Sequence, residues 1–187
     1  MRSQIRDEIN CIEPLDDLER EHIADALGWV ASDAELCRLI KPASPPKHLV
    51  SYFVVIDGTS VLLVDHKDAQ RWLPTGGHVE PNEHPRSTVR REIVEELGFA
   101  APHVIGPPLM LTSRVTVGQT AGHTDVSLWY VIRSSRKQAF QFDEGEFLAV
   151  RWFKLDEIPY QDSDPHLARF VEKLRRSDLL SVQERHT

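Results

Sequence analysis

Cysteine is nearly missing from this chain: Cys11 and Cys37 are the only two among 187 residues. They have neither the spacing of a metal site nor the number that a disulfide framework needs. Long apolar runs are missing as well. No stretch approaches the ~20 residues that cross a bilayer, and the opening MRSQIRDEIN is charged where a signal peptide is apolar. The expectation is a cytoplasmic protein with no membrane partner. Basic charge is in deficit, with 22 Lys and Arg against 29 Asp and Glu, a net −7. A polymeric nucleic acid is therefore not an expected partner. An acidic protein can still take an anionic small molecule where a bound cation supplies local positive charge. There is no internal repeat and no low-complexity segment. The length suits one well-cored domain, with or without a small appendage.

One stretch is dense in signals: LPTGGHVEPNEHPRSTVRREIVEELGF, from Leu73 to Phe99. It reads as a short strand end, a double-glycine loop and an acidic helix. Pro85 suits the first helical turn, where no backbone donor is needed. Gly98 suits the position just past the end, where a left-handed conformation is cheap. Val89, Ile93 and Leu97 recur at helical spacing and form a stripe that can dock on a sheet. Glu92, Glu95 and Glu96 lie at i, i+3 and i+4 and crowd one adjoining arc. Like charges so placed destabilise an isolated helix. Clustered carboxylates of this kind bind hard divalent cations such as Mg²⁺. A solvated surface helix is the plain alternative.

Around that stretch, residues 1–46 look helical and separate from the rest of the chain. Ile5, Ile9 and Ile12 repeat at helical spacing until Pro14. Asp16 and Glu19 resemble a capping box, and the next helix carries Leu18, His22, Ala26 and Trp29, with Ile23, Leu27 and Val30 beside them. A third short helix is expected around Ala34 to Ile40. The expected role of these helices is packing, with a lid or a dimer arm as alternatives, so a homodimer is possible. The proline-rich KPASPP reads as a stiff connector. From residue 47 the pattern turns to strands: HLVSYFVVID and SVLLVDH around a hairpin at Asp57-Gly58, then PLMLTSRVTV, DVSLWYVIR and AVRWFKL. Pro165 to Arg176 reads as a closing helix. The expected fold is α/β, a mixed sheet with helices on both faces.

Gly77, five residues, Glu83, seven residues, and Arg91-Glu92-Ile93-Val94-Glu95-Glu96-Leu97-Gly98-Phe99 resemble the Nudix box at every defined position. Seven fixed letters give a chance match on the order of 10⁻⁸ per start site. The resemblance implies an α/β/α sandwich over residues 47–187 and a hydrolase that uses Mg²⁺ or Mn²⁺ on a small nucleotide. It also implies a metal site built from the Gly77 carbonyl with Glu92, Glu95 and Glu96, and an Arg91 that orients a glutamate. Glu83 is expected to brace the loop, and Glu80 either joins the metal shell or is exposed. The general base comes from the box, where Glu95 is preferred, or from FDEGEF, where Asp143, Glu144 and Glu146 are available and Glu144 and Glu146 cannot be separated. Substrate contacts are expected from Arg71, Trp72, His78, Arg114, His123 and Asp125, although Trp72 also suits the core. The proline that marks ADP-ribose-cleaving subgroups has no counterpart, since Val115 occupies its neighbourhood and Pro107 and Pro108 come too early. A tyrosine associated with dinucleoside polyphosphates is replaced by Thr116 and Val117. The expected substrate is a nucleoside di- or triphosphate giving a monophosphate, with ADP-ribose or another nucleotide sugar as the alternative. A non-catalytic nucleotide-binding module is a further alternative. An isopentenyl-diphosphate isomerase is disfavoured, because both cysteines precede the first strand.

Overall fold

The structure is a computed structural model that describes residues 1–41, 44–100, 104–116 and 122–180. Among the described residues, four α-helices and seven strands run in the order α1 (Arg2–Asn10), α2 (Asp17–Ala31), β1 (Lys47–Asp57), β2 (Ser60–His66), β3 (Arg71–Leu73), β4 (Thr75–His78), α3 (Pro85–Leu97), β5 (Val104–Val115), β6 (Thr124–Arg133), β7 (Phe147–Lys154) and α4 (Leu167–Arg176). The strands form one mixed sheet in the order β3-β2-β1-β6-β5. The C-terminal half of β1 pairs with β2 and its N-terminal half with β4, so β1 is shared between two partners on one side. On its other side it runs parallel to β6 over its whole length.

Alternation along the strands sorts two cores. Leu49, Phe53 and Val55 of β1 join Val126, Leu128 and Tyr130 of β6 under α1, α2 and α3. Val54 and Ile56 join Trp129 and Val131 on the opposite face, under Phe170, Val171 and Leu174 of α4. The result is an α/β/α sandwich. Among the described residues no helix is long and apolar enough to cross a membrane.

The N-terminal helices are part of the first core, because Ile5, Ile9, Ile12, Ala26 and Val30 are all buried in it. Asp16 caps α2 by accepting from Glu19 N at 2.9 Å, and Glu19 accepts from Leu15 N at 2.7 Å. Glu19 is fully buried, whereas Leu18 is exposed, so the buried stripe of α2 runs one residue away from the apolar reading. The expected helix from Ala34 to Ile40 is not formed. So short a segment does not repay helix nucleation, and its backbone bonds go elsewhere. Leu36 O accepts from Leu49 N of β1, and Leu39 N and Ile40 N donate to Ser44 O. Pro42 and Ala43 of the expected connector lie outside the described residues, as do residues 117–121 of the loop before β6.

Candidate active site

Helix α3 is built as its sequence suggests. Pro85 occupies its first turn, and Gly98 ends it in the left-handed region at φ 68°. Val89, Ile93 and Leu97 are fully buried against the sheet. The double glycine is not a loop, however. Gly76 and Gly77 lie in β4, opposite Tyr52 and Ser51 of β1. A Cβ at Gly77 would collide with the Glu92 carboxylate, and one at Gly76 would strike the Ser51 carbonyl oxygen. Gly76 is held to glycine by the β1 backbone and its φ of 154°, whereas a side chain at Gly77 would displace the Glu92 carboxylate from the strand.

That approach places Glu96 Oε2 3.1 Å from Gly76 N, which donates to it. Glu96 is buried and Glu92 is half-buried, whereas the Glu95 side chain is 58% exposed. Burial pushes the Glu96 carboxyl well above the usual carboxylate range, and the neighbouring charges of Glu92 and Glu146 add to the effect. Glu92 is raised as well, again first by burial. Only Glu92 of the two has a cationic partner, Arg91 at 2.7 Å, while Glu96 is met by a single backbone donor; burial still raises both, and the donor set is all oxygen. These residues fit a hard divalent cation.

Arg91 organises the rest. Its Nε and Nη2 donate to Glu83 Oε1 and Oε2, each at 3.1 Å. Nη1 reaches Glu92 Oε1 at 2.7 Å and Glu95 Oε2 at 3.1 Å, and Nη2 also donates to His78 O at 3.2 Å. Glu83 further accepts from Thr88 Oγ1 at 2.7 Å and from Glu80 N at 3.1 Å. Burial works to raise the Glu83 carboxyl, but the Arg91 and Thr88 bonds outweigh it and hold it below the usual range. One guanidinium thereby ties the loop after β4 to both faces of the acidic arc. The Glu80 side chain is exposed.

A cavity of about 880 Å³ is lined by Arg71, Leu73, Arg114, Glu146, Tyr160 and Asp164 among others, and Glu146 links it to the carboxylates, whose protonation its charge affects. Arg71 Nη1 donates to Gln161 O and Ser163 O at 3.2 and 3.3 Å. Strand alternation turns Arg71 and Leu73 toward the cavity and Trp72 away from it. Trp72 packs edge-on against Phe153, with ring centroids 5.0 Å apart, which is the core placement that the sequence also suits. The geometry also separates the two loop glutamates. Glu146 lines the cavity and contributes to the raised carboxyls of Glu92 and Glu96. Both loop glutamates are exposed, but Glu144 does not line it and offers its backbone carbonyl to Lys67 Nζ. Asp143 N donates to Glu96 O at 3.0 Å, which ties this loop to the end of α3.

His78, His123 and Asp125 come together with an unforeseen fourth member, His48, and none of the four lines the large cavity. His123 is buried, and its Nε2 lies 3.3 Å from Asp125 Oδ1 without a hydrogen bond between them. Asp125 borders a smaller cavity of about 210 Å³ shared with Tyr52, Arg114 and Asp164.

Comparison with known proteins agrees with this geometry. The family described as NUDIX domain matches residues 46–174. No curated protein matches the chain. Among solved structures, a MutT NUDIX hydrolase from Burkholderia pseudomallei is 23% identical over 68% of this chain and 98% of its own, with a TM-score of 0.59. A NUDIX-family hydrolase from Clostridium perfringens is 22% identical over 69% and 97%, at 0.56. The NUDIX domain of Shewanella oneidensis NrtR, complexed with ADP ribose, is 20% identical over 78% and 90%, also at 0.56. The structures share the fold, and with the family match over residues 46–174 the chain belongs to the NUDIX family.

Proposed function

We propose that the chain hydrolyses a phosphoanhydride bond in a nucleoside di- or triphosphate and releases a nucleoside monophosphate. The observation that carries this reading is the buried pair Glu92 and Glu96, linked through Glu146 to a cavity that also presents Arg71 and Arg114. Glu92, Glu96 and the Gly77 carbonyl, with Glu95 at the rim, would hold Mg²⁺ or Mn²⁺. A cation bound there neutralises phosphate charge and activates water.

The remaining work falls to the chain's own groups. Arg91 holds Glu92 and Glu95 in place, while Arg71 and Arg114 orient the anionic substrate. Glu146 is the favoured proton acceptor, because it faces the cavity and sits within electrostatic reach of the carboxylate pair. Glu95, preferred from the sequence, is the second candidate. Water oxygen bonds to phosphorus, the bridging P–O bond breaks, and the water proton passes to the base.

The cavity lies near the top of the ~300–1,000 Å³ range of small-molecule sites. That room, with ADP ribose bound to the NrtR domain, supports a second reading as a nucleotide-sugar pyrophosphatase. One experiment separates these readings: turnover by the full chain with Mg²⁺ or Mn²⁺ on nucleoside di- and triphosphates and on ADP-ribose, with products identified in heavy-oxygen water. Glu96→Gln should lower turnover at least about a hundredfold, the scale of losing a preorganised charge. Glu146→Gln should lower it more than Glu95→Gln. Undiminished turnover in Glu96→Gln, or in excess chelator, removes the proposal; binding without turnover of any nucleotide would make the chain a recognition module.

A further inference from the structure

We propose a second metal site, distinct from the carboxylate site on α3: a structural transition-metal centre formed by His48, His78, His123 and Asp125. Four donor atoms, three nitrogens and one oxygen, lie within 4.8 Å of one another. His48 Nε2 is 3.2 Å from Asp125 Oδ1, His123 Nε2 3.3 Å and His78 Nε2 3.8 Å. Ligands about 2.05 Å from a tetrahedral Zn²⁺ stand about 3.3 Å apart, so two of these three spacings already match.

The fold brings them together by register. His48 of β1 lies directly beside Asp125 of β6, and His78 of β4 opposes Val50, two residues along β1 on the same face. His123 precedes β6, and its ring stacks on His48 with centroids 4.9 Å apart.

The proton arrangement is what a metal requires. His48 Nδ1 lies 2.9 Å from the Pro45 carbonyl oxygen, which only accepts, so Nδ1 carries a hydrogen and the neutral ring presents its lone pair at Nε2. That Nε2 is completely buried and, among the described residues, has no hydrogen-bond partner; the same holds for Asp125 Oδ1 facing it. Thr116 Oγ1 sits 3.1 Å from His123 Nδ1 and can take that ring's proton, freeing its Nε2 in turn. Lone pairs converging on a carboxylate oxygen repel unless a cation lies between them. Backbone and hydroxyl partners on the far ring nitrogen are the usual supports of metal-bound histidine. Three imidazoles and one carboxylate select Zn²⁺ over Mg²⁺, and four protein ligands leave no open position, as in structural sites. Arg38 Nη1, 3.2 Å from His78 Nε2, engages that ring nitrogen and would have to release it to an ion.

Cobalt(II) and zinc added to chelator-stripped full-length protein test this. One equivalent of Co²⁺ should give the intense visible bands of tetrahedral coordination, bleach on addition of Zn²⁺ and persist in excess Mg²⁺. His123→Gln and Asp125→Asn should each weaken binding at least about a hundredfold, beyond the loss from outer supports alone. Because His48 is deep in the core, these two carry the test if His48→Ala does not fold. The Glu92→Gln, Glu96→Gln double variant should keep the bands, and Arg38→Ala should bind more tightly. Absence of tetrahedral bands, or bands that survive in His123→Gln and vanish in the Glu92, Glu96 double variant, would overturn the proposal and leave the cluster a buried His–Asp pair.

Discussion

Replacing Lys173 by Met removes one half of a buried ion pair that joins three elements. Lys173 Nζ of α4 donates to Glu19 Oε1 of α2 at 2.7 Å and to Glu13 O at 2.7 Å, and the two side chains are 7% and 0% exposed. Glu19 Oε1 also accepts from Leu111 N of the edge strand β5 at 3.2 Å, so this carboxylate covers an edge that would otherwise be bare. Without the ammonium, Glu19 keeps its bonds from Leu15 and Leu111 but loses its compensating charge. Breaking a buried pair from one side typically costs about 3–5 kcal/mol. The two surviving amide donors place the expected cost at the lower end, about 3 kcal/mol. In a chain of this size that lowers Tm by roughly 6–12 °C. Urea unfolding at neutral pH, read by far-UV and by tryptophan signals together, measures it. Glu19→Gln should cost a similar amount, and the Glu19→Gln, Lys173→Met double variant should be less destabilised than the sum of the two. A Lys173→Met protein within about 1 kcal/mol of the parent, or a strictly additive cycle, would refute the reasoning.

Two further outcomes are expected from the packing and the electrostatics. Trp72→Ala should lower stability by about 2 kcal/mol, below the usual range for a fully buried Trp because the ring is half-buried, while KM for the best nucleotide stays unchanged; a stable variant with raised KM would return Trp72 to the pocket. Burial, then Arg169, holds the His166 imidazole down to about 4, and nearby His22 is lowered for the same reasons, with Arg114 opposing and Asp16 favouring the charge on His166. A depressed folded-state pKa gives stability that is present above the ordinary value near 6.5 and is lost as pH falls toward 4, so Tm should drop between pH 7.5 and 5 and His166→Gln should drop less; equal drops would dismiss His166 as a contributor.

How much of this is legible in the sequence depends on whether the signal is local. Helix α3 is readable because Pro85, the apolar stripe and Gly98 all lie within one element and agree. The capping of α2 is readable for the same reason. The expected helix at Ala34 to Ile40 fails because its backbone partners, Leu49 N and Ser44 O, come from beyond it, and local spacing says nothing of them. Gly76 and Gly77 read as a loop because glycine usually ends a strand; only the packed positions of Ser51 and Tyr52 beside Gly76, and of Glu92 beside Gly77, reveal how little room there is. Glu19 is the same problem on a helix, an acidic residue beside an apolar stripe whose burial is decided by a lysine far along the chain. His48 is the limiting case. Residues 48, 78, 123 and 125 share no periodicity, and His48 has no marker of its own inside an apolar strand. Its role depends on β1 running parallel to β6 in one particular register. A shift of one residue would turn His48 to the opposite face from Asp125 and dissolve the cluster. The pairing that sets that register is fixed by Leu49, Phe53 and Val55 packing with Val126, Leu128 and Tyr130. The core residues that look least informative about function therefore decide whether this set of donors exists at all.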